Sequence, residues 1–211
     1  MIKNIIFDMG QVLIHWSAQR MTALLELPQE DAKLIELELF RNVEWTQLDR
    51  GTITEESAIA SVCRRLPEHL HEGVARLITG WWKWPLVPVA GMADLIRELK
   101  EMGYGIYLMS NASSRLHEYF HRIPGAECFD GKVVSADLKF LKPQAEIYQT
   151  LYSNFRLDPE ECVFIDDVPA NIDGAIMTGM NGVVFHGDIA RLRRELRALG
   201  IPVSESEMAA T

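Results

Sequence analysis

The alternation of hydrophobic and polar positions changes twice along the 211 residues of the chain. Residues 2–8, which contain the β-branched and aromatic run Ile5-Ile6-Phe7, predict a short buried strand, followed by a turn at Gly10. From residue 17 to residue 76 the apolar positions recur with helical spacing, and no strand pattern is identified there. The first strand is therefore followed by a helical block.

Beyond Pro85 and Pro88, amphipathic helical patterns, such as that over residues 113–123, alternate with short apolar runs that predict strands. Such strands end at Ser110 and Asp166, and a weaker strand pattern covers residues 131–136. This alternation implies parallel strands joined by helical crossovers. We predict an α/β fold, a three-layer Rossmann-like parallel sheet with an inserted helical segment. Residues 1–14 and 87–211 would form the α/β core, and residues 15–86 the insertion. The polar residues 204–211 are expected to form a loose tail.

The composition restricts the range of partners. A net charge of -9 disfavours binding to nucleic acid or to anionic membranes, but leaves a small phosphorylated substrate possible. The three scattered cysteines, Cys63, Cys128 and Cys162, predict free thiols and not a disulfide frame or zinc site. No signal-peptide pattern or apolar stretch of about 20 residues is recognised. We expect a cytoplasmic monomer or homodimer without a membrane partner.

Polar residues collect where the predicted strands end. Asp8 ends the first strand, Ser110 and Asn111 follow a second, and Asp166 and Asp167 follow a later one. In an open parallel sheet the ligand binds outside the carboxyl ends of the strands. A single residue of this kind is usually a turn or helix cap. Because the residues recur in order, each at a strand end, the set favours one functional crevice.

These residue types predict phosphate chemistry. Two close carboxylates, Asp8 and Asp167, repel each other unless a cation lies between them, and oxygen ligands next to phosphate suit Mg²⁺. The Ser110 hydroxyl and the backbone N–H groups at the helix start after it can bind phosphate oxygens, and Lys142 adds a positive charge. A carboxylate held in this way can attack phosphorus and form an aspartyl-phosphate that water cleaves.

Four segments together resemble the motifs of the haloacid dehalogenase-like (HAD) hydrolases. They are "IIFDMGQVL", "YLMSNAS", "LKPQAEIY" and "VFIDDVPANIDGA", in that order. The chain is more closely similar to bacterial α-glucose-1-phosphate phosphatases, and also resembles the phosphatase half of soluble epoxide hydrolases, which keep a second Asp in the first motif. The resemblance implies a Mg²⁺-dependent phosphatase in which residues 15–86 form a helical cap that determines specificity.

The resemblance also implies roles for individual residues. Asp8 would be the nucleophile and a Mg²⁺ ligand, and Asp167 the second carboxylate ligand. Asp166 would support the metal site. Ser110 and Lys142 would hold the phosphate, and Lys142 would also stabilise the charge on Asp8.

Further residues are assigned to the substrate and the metal by the same resemblance. Asn111 and the backbone amides of Met9 and Gly10 would help to bind the phosphate. The backbone C=O of Gly10 would be a metal ligand, since that contact needs no side chain. Asn171 stands where many relatives have a further acid.

Gly10 departs from the pattern of most phosphatases in the superfamily, which carry an Asp there to protonate the leaving alcohol. Such general acid–base catalysis is worth about 10²–10⁴-fold. We hypothesise that the substrate compensates with an acidic leaving group, as in a sugar 1-phosphate. His15 is a second possible proton donor, although a linker histidine is the more ordinary interpretation.

Two other functions are compatible with these residues. A non-catalytic phospho-metabolite binder or regulator would explain the loss of the acid at Gly10, but not the retention of Asp8 and Lys142. A 2-haloacid dehalogenase ranks third, because that branch works without metal and would not need the Asp166–Asp167 pair. Trp16 and Trp45 are weak candidates for a substrate pocket, since tryptophan is first a core residue.

Overall fold

Five short strands form one parallel sheet in the computed structural model, which describes residues 1–205. The strands are β1 (Asn4–Phe7), β2 (Gly105–Ser110), β3 (Gly131–Val134), β4 (Cys162–Asp166) and β5 (Asn181–Val184). Their order is β3-β2-β1-β4-β5, with every neighbouring pair parallel. The predicted α/β fold is confirmed. Most of the predicted loose tail lies outside the described residues.

Helices surround this sheet and fill the insertion. The insertion contains α1 (Ala18–Ala23), α2 (Gln29–Ile35), α3 (Val43–Arg50), α4 (Glu55–Cys63) and α5 (His71–Gly80). The later helices are α6 (Met92–Glu101), α7 (Leu116–Tyr119), α8 (Ser135–Leu138), α9 (Ala145–Phe155), α10 (Pro169–Met177) and α11 (Ile189–Ala198). Among residues 1–205, none of the helices has the length and apolar character needed to cross a bilayer.

The central strand β1 places Asp8 in the middle of the sheet edge. Ile5 and Phe7 belong to one hydrophobic core and Ile6 to another, as expected when successive side chains point to opposite faces. Phe7 is in register with Leu108 of β2 and Ile165 of β4. Asp8, the next residue, therefore emerges between the carboxyl ends of two neighbouring strands.

Some predicted elements are shorter than the pattern suggested. The third strand ends at Val134, because Ser135 begins α8 and its hydroxyl accepts a hydrogen bond from the backbone N–H of Ala112 at 2.9 Å. The helix predicted over residues 113–123 is reduced to α7 and a following 3₁₀ turn. Short apolar patterns predict that an element exists better than where it ends.

The insertion is attached to the core by polar contacts at the end of α3 and at the start of α4. The guanidinium of Arg115, before α7, makes a bidentate pair with Glu55 of α4, with both N–O distances at 2.7 Å. At the end of α3, the hydroxyl of Ser135 donates to the backbone C=O of Asp49, and the Lys139 ammonium donates to the C=O of Gly51. These contacts hold the end of α3 above the carboxyl edge of the sheet.

Candidate active site

Lys142 lies at the centre of the polar cluster below the sheet edge. Its ammonium nitrogen is 2.6 Å from Oδ1 of Asp8 and 2.7 Å from Oδ2 of Asp166, and it donates to the backbone C=O of Met109 at 3.1 Å. The Lys142 side chain is only 2% exposed. One buried cation thus joins the loop before α9 to the ends of β1, β2 and β4.

The two adjacent acids after β4 have different surroundings. Asp166 is fully buried and accepts hydrogen bonds from the backbone N–H of Val168 at 2.8 Å and from the Asn171 side-chain amide at 3.1 and 3.0 Å. Together with Lys142, these donors occupy both Asp166 oxygens. Asp167 is only half-buried and lines the cavity above the cluster. Asp166 is therefore positioned as a support, and Asp167 as the acid that can reach a ligand.

Three carboxylates lie close enough to share one cation. One oxygen each from Asp8, Asp166 and Asp167 falls within 4.8 Å of the others. These are hard oxygen donors, which suit Mg²⁺, and their negative charges exceed the single positive charge of Lys142. The residues present therefore fit a divalent cation at this position.

The electrostatics of the cluster show the same shortage of positive charge. Burial raises the pKa of Asp8 to about 6, and the charge of Asp166 adds to this effect while Lys142 opposes it. Burial and the neighbouring Asp166 also raise the pKa of Asp167. Burial alone would lower the pKa of Lys142, but the two carboxylates more than offset that effect and raise it. A further cation would favour the charged form of each acid.

The end of β2 provides a hydroxyl and a bracing amide. Ser110 is buried and lines the cavity next to Lys142. The Asn111 side chain also reaches the cavity, but its amide donates to the backbone C=O of Lys142 at 3.1 Å, and its oxygen accepts from the Lys142 N–H at 2.8 Å. In this structure Asn111 fixes the backbone that carries the lysine.

The turn after β1 brings Met9 and Gly10 to the cavity. The backbone C=O of Met9 accepts from the N–H groups of Leu13 and Ile14 at 2.9 and 3.1 Å, which closes the turn. A Cβ atom added to Gly10 would meet only the Cβ of Trp16, at 4.0 Å. The space beside the polar cluster therefore admits a side chain at this position.

A cavity of about 440 Å³ covers the cluster, and residues of the insertion form its upper wall. The aromatic and aliphatic residues of that wall are Trp16, Trp45, Leu48, Ile78 and Trp81. The rings of Trp16 and Trp45 stack with centroids 5.6 Å apart. Trp16 and Trp45 thus lie where the sequence suggested. His15 lines a separate, smaller pocket beside Trp84, away from the polar cluster.

The cavity wall also contains three residues that were not singled out in the sequence, Asp49, Glu55 and Tyr119. Burial raises the pKa of Asp49 well above its usual range, and the charge of Asp8 adds to this while the Ser113 backbone N–H opposes it. A signal was present in the sequence, because Asp49 lies in the last turn of a helix, where the dipole disfavours a negative charge. That signal alone does not place the residue over Asp8.

The fold and the site define a class of enzyme, an α/β protein whose carboxylates and lysine meet at the carboxyl edge of a parallel sheet. The model of the haloacid dehalogenase-like hydrolase family matches residues 2–179. The chain belongs to this family of hydrolases.

Curated relatives of the chain include phosphatases. The sesquiterpene phosphatase astK of Aspergillus oryzae is 30% identical over 201 residues, which cover 93% of this chain and 96% of that protein. Flavin mononucleotide hydrolase 1 of Arabidopsis thaliana is 24% identical over 168 residues, covering 80% of this chain and 66% of that protein. The two relatives have names that refer to different organic phosphates, so the family match by itself leaves the substrate open.

Solved structures share the architecture. The HAD family enzyme bt-2542 of Bacteroides thetaiotaomicron, in a complex with magnesium and inorganic phosphate, matches with a TM-score of 0.69 and 22% identity. The match covers 91% of this chain and 99% of that one. At this level of identity the likeness shows the fold.

Proposed function

We propose that this protein is a Mg²⁺-dependent phosphatase that hydrolyses a small phosphorylated metabolite through an aspartyl-phosphate on Asp8. The observation that carries the proposal is the contact between Lys142 and Asp8. The buried ammonium lies 2.6 Å from Oδ1 of a carboxylate that also lines the cavity. The other oxygen, Oδ2, is then the natural nucleophile, because the lysine fixes the carboxylate without covering both of its oxygens.

The remaining residues are assigned by their positions. Ser110 and Lys142 bind the phosphate oxygens, with help from Asn111 and from the backbone amides of Met9 and Gly10. Mg²⁺, when bound, neutralises the negative charge that the phosphate brings to the carboxylates. We assign three ligands to it: the side chains of Asp8 and Asp167 and the backbone C=O of Gly10. Asp166 acts through the hydrogen bonds that orient this cluster.

The reaction then has two steps. Oδ2 of Asp8 attacks phosphorus, and the bond between phosphorus and the leaving alcohol breaks. Water next attacks the phosphorus of the aspartyl-phosphate, releasing orthophosphate and the original carboxylate. We propose that residues 15–86 act as a cap that excludes bulk water from this chemistry and contacts the alcohol part of the substrate.

A sugar 1-phosphate is the substrate form proposed from Gly10. Its anomeric leaving group is more acidic than a simple alcohol and needs less protonation. Aromatic wall residues such as Trp45 can stack on a sugar ring. The proposal rests on the chemistry of the leaving group and not on recognition of particular hydroxyl groups.

The monophosphate of an apolar alcohol is a second candidate, favoured by the composition of the cavity wall. Trp16, Trp45, Leu48, Ile78 and Trp81 form much of the wall that the insertion contributes. Such a wall gains free energy mainly by removing apolar substrate surface from water. The relative astK, named as a sesquiterpene phosphatase, supports the same reading.

The test is phosphate release from a panel of phosphomonoesters, with Mg²⁺ and with a chelator in its place. The panel contains glucose 1-phosphate, glucose 6-phosphate, flavin mononucleotide and a sesquiterpenyl monophosphate. The proteins are wild type, Asp8→Asn and the matched control Asp173→Asn, which changes an exposed acid on α10. We expect Mg²⁺-dependent release by wild type and by the control, and none by Asp8→Asn.

The panel also separates the substrate candidates. Preference for the 1-phosphate over the 6-phosphate supports the leaving-group argument, and preference for the sesquiterpenyl ester supports the apolar wall. Binding of phosphate compounds without release from any of them would contradict the phosphatase proposal and favour the phospho-metabolite binder. Full activity of Asp8→Asn would contradict the assignment of the nucleophile.

A further inference from the structure

Asp49 reaches the candidate active site from the insertion and not from the core. Helix α3 ends at Gly51, whose φ of 69° closes the helix in the left-handed conformation. Asp49, two residues earlier, lines the same cavity as Asp8 and Gly10. Its backbone C=O accepts a hydrogen bond from the hydroxyl of Ser135, which attaches this end of α3 to the core.

The surroundings of Asp49 favour a neutral carboxyl group. Burial raises its pKa well above the usual range, and the negative charge of Asp8 acts in the same direction. The backbone N–H of Ser113 opposes these effects but does not overcome them. A neutral carboxyl in a cavity with a carboxylate nucleophile has the protonation state that a general acid requires.

Two other ionisable groups of the cavity wall, Glu55 and Tyr119, are already engaged. The carboxylate of Glu55 is held by the Arg115 guanidinium through two contacts of 2.7 Å, so both of its oxygens already accept a hydrogen bond. The Tyr119 hydroxyl donates to the sulfur of Met9 at 3.5 Å, and burial raises the pKa of Tyr119. Glu55 and Tyr119 are therefore poorer donors than Asp49.

We propose that Asp49 is the general acid and base of the reaction, supplying from the insertion the function that an Asp at position 10 would supply from the core. This inference rests on the proposed phosphatase activity. In the first step Oδ2 of Asp8 bonds to phosphorus, the bond from phosphorus to the alcohol oxygen breaks, and that oxygen takes the Asp49 proton. In the second step the Asp49 carboxylate takes a proton from the attacking water, and the bond from phosphorus to Asp8 breaks.

The assignment changes what Gly10 implies about the substrate. A protonated leaving group no longer has to be acidic, so simple alcohols become suitable leaving groups. The monophosphates of apolar alcohols then have a suitable leaving group as well as an apolar wall to bind against. The assignment also implies that the site is complete only when α3 is seated on the core.

The experiment compares wild type, Asp49→Asn and the control Asp173→Asn on two esters whose leaving groups differ widely in acidity. With an alkyl phosphate we expect Asp49→Asn to lose about 10²–10⁴-fold in turnover, as for other general acids. With p-nitrophenyl phosphate, whose leaving group needs no proton, the first step should proceed. The aspartyl-phosphate on Asp8 should then accumulate, because its hydrolysis lacks a base, and it is detected by intact-protein mass spectrometry.

A rescue variant separates a chemical role from a structural one. A side chain fits at position 10, so Gly10→Asp can be added to Asp49→Asn. The double variant should turn over the alkyl phosphate at least about tenfold faster than Asp49→Asn, because it regains a general acid. Asparagine keeps a carbonyl acceptor for the Ser113 N–H, so a purely structural role predicts unchanged activity.

The outcomes also distinguish this inference from the proposed function. Suppose that wild type releases phosphate but Asp49→Asn is as active as wild type on both esters, or that it loses the same factor on both without accumulating phosphoenzyme. Either result would show that Asp49 is not the acid, while the phosphatase proposal would stand. If wild type releases phosphate from neither ester nor from the wider panel, the phosphatase proposal fails and this inference fails with it.

Discussion

Lys142 and Asp8 are separated by 134 positions in the sequence, yet the lysine ammonium lies 2.6 Å from Oδ1 of the aspartate. The same ammonium lies 2.7 Å from Asp166, and its side chain is 2% exposed. Two carboxylates share one cation where water screens their repulsion poorly. The arrangement that would prepare Asp8 for the proposed attack on phosphorus is therefore also a structural element of the core.

Replacing Lys142 by methionine should destabilise the protein. The substitution keeps much of the side-chain volume but leaves Asp8 and Asp166 buried without their shared cation. We expect the free energy of unfolding to fall by about 3–5 kcal/mol, as when one partner of a buried ion pair is removed. Urea unfolding measures this change, with the exposed Lys33→Met as a control.

A double variant tests the cause of that loss. Adding Asp8→Asn to Lys142→Met removes one of the two uncompensated charges, so the double variant should be more stable than Lys142→Met alone. Independent, additive losses from the two substitutions would show that the charge pair is not what stabilises this site.

Asn171→Asp should make the stability of the protein depend more strongly on Mg²⁺. The asparagine amide donates to both oxygens of Asp166 at 3.1 and 3.0 Å. An aspartate there loses these bonds and adds a like charge, so without metal we expect a loss of about 1–3 kcal/mol. Bound metal should recover part of it, because a ligand that binds only the folded state stabilises that state.

Thermal unfolding with Mg²⁺ and with a chelator, for wild type and Asn171→Asp, measures this difference. The same pair of scans on Asp173→Asn, an exposed acid of the same helix, shows any effect of Mg²⁺ unrelated to the site. If the loss in Asn171→Asp is the same with and without Mg²⁺, Asn171 does not adjoin a metal site.

A separate prediction concerns pH and the insertion, where Arg65 pairs with the buried Glu44. Its guanidinium contacts the two Glu44 oxygens at 2.8 and 3.0 Å, and these bonds hold the pKa of Glu44 at about 2. A depressed pKa contributes stability that is complete above the ordinary Glu value, 4.5, and is lost as the pH falls toward 2.

Glu44→Gln should accordingly cost about 2 kcal/mol near neutral pH, the value of a hydrogen bond to a charged group. The difference in unfolding free energy between wild type and Glu44→Gln should shrink as the pH is lowered from 5 toward 2. Glu101→Gln, an exposed position at the end of α6, provides the control. A difference that stays constant over this range would contradict the assigned pKa.

Much of the core site could be predicted from the sequence, because its residues follow buried strands. Asp8 comes directly after the apolar run of β1, and Asp166 ends the apolar run of β4. Parallel strands bring their carboxyl ends to one edge, so the local pattern is enough to place these side chains together. The ends of β3 and of the helix around α7 were wrong by a few residues, since they depend on turns that carry no hydrophobic period.

The acid that the insertion brings to the site, Asp49, could not be predicted. Asp49 approaches the cluster only because α3 is attached to the core through contacts such as that between Ser135 and the Asp49 backbone, and no local pattern encodes that attachment. His15 shows the converse, since it is close to Asp8 in sequence but lines another pocket. The sequence also does not tell which of Asp166 and Asp167 supports the cluster and which lines the cavity, because this depends on the hydrogen bonds of the folded chain.

The aromatic wall gives a last prediction, on substrate preference. Trp45 stacks on Trp16 with ring centroids 5.6 Å apart, and both line the cavity. If this wall binds the alcohol part of an apolar phosphate, Trp45→Ala should lower kcat/KM for a sesquiterpenyl monophosphate about 10-fold or more, as when an apolar contact is removed from a substrate pocket. Phosphate release at substrate concentrations well below KM measures it.

The kcat/KM for p-nitrophenyl phosphate should fall less, because its smaller ring buries less apolar surface. Trp84→Ala is the matched control, since Trp84 lies beside the separate pocket under Arg76. Equal losses for both esters would mean that Trp45 supports the insertion as a whole and does not select the substrate.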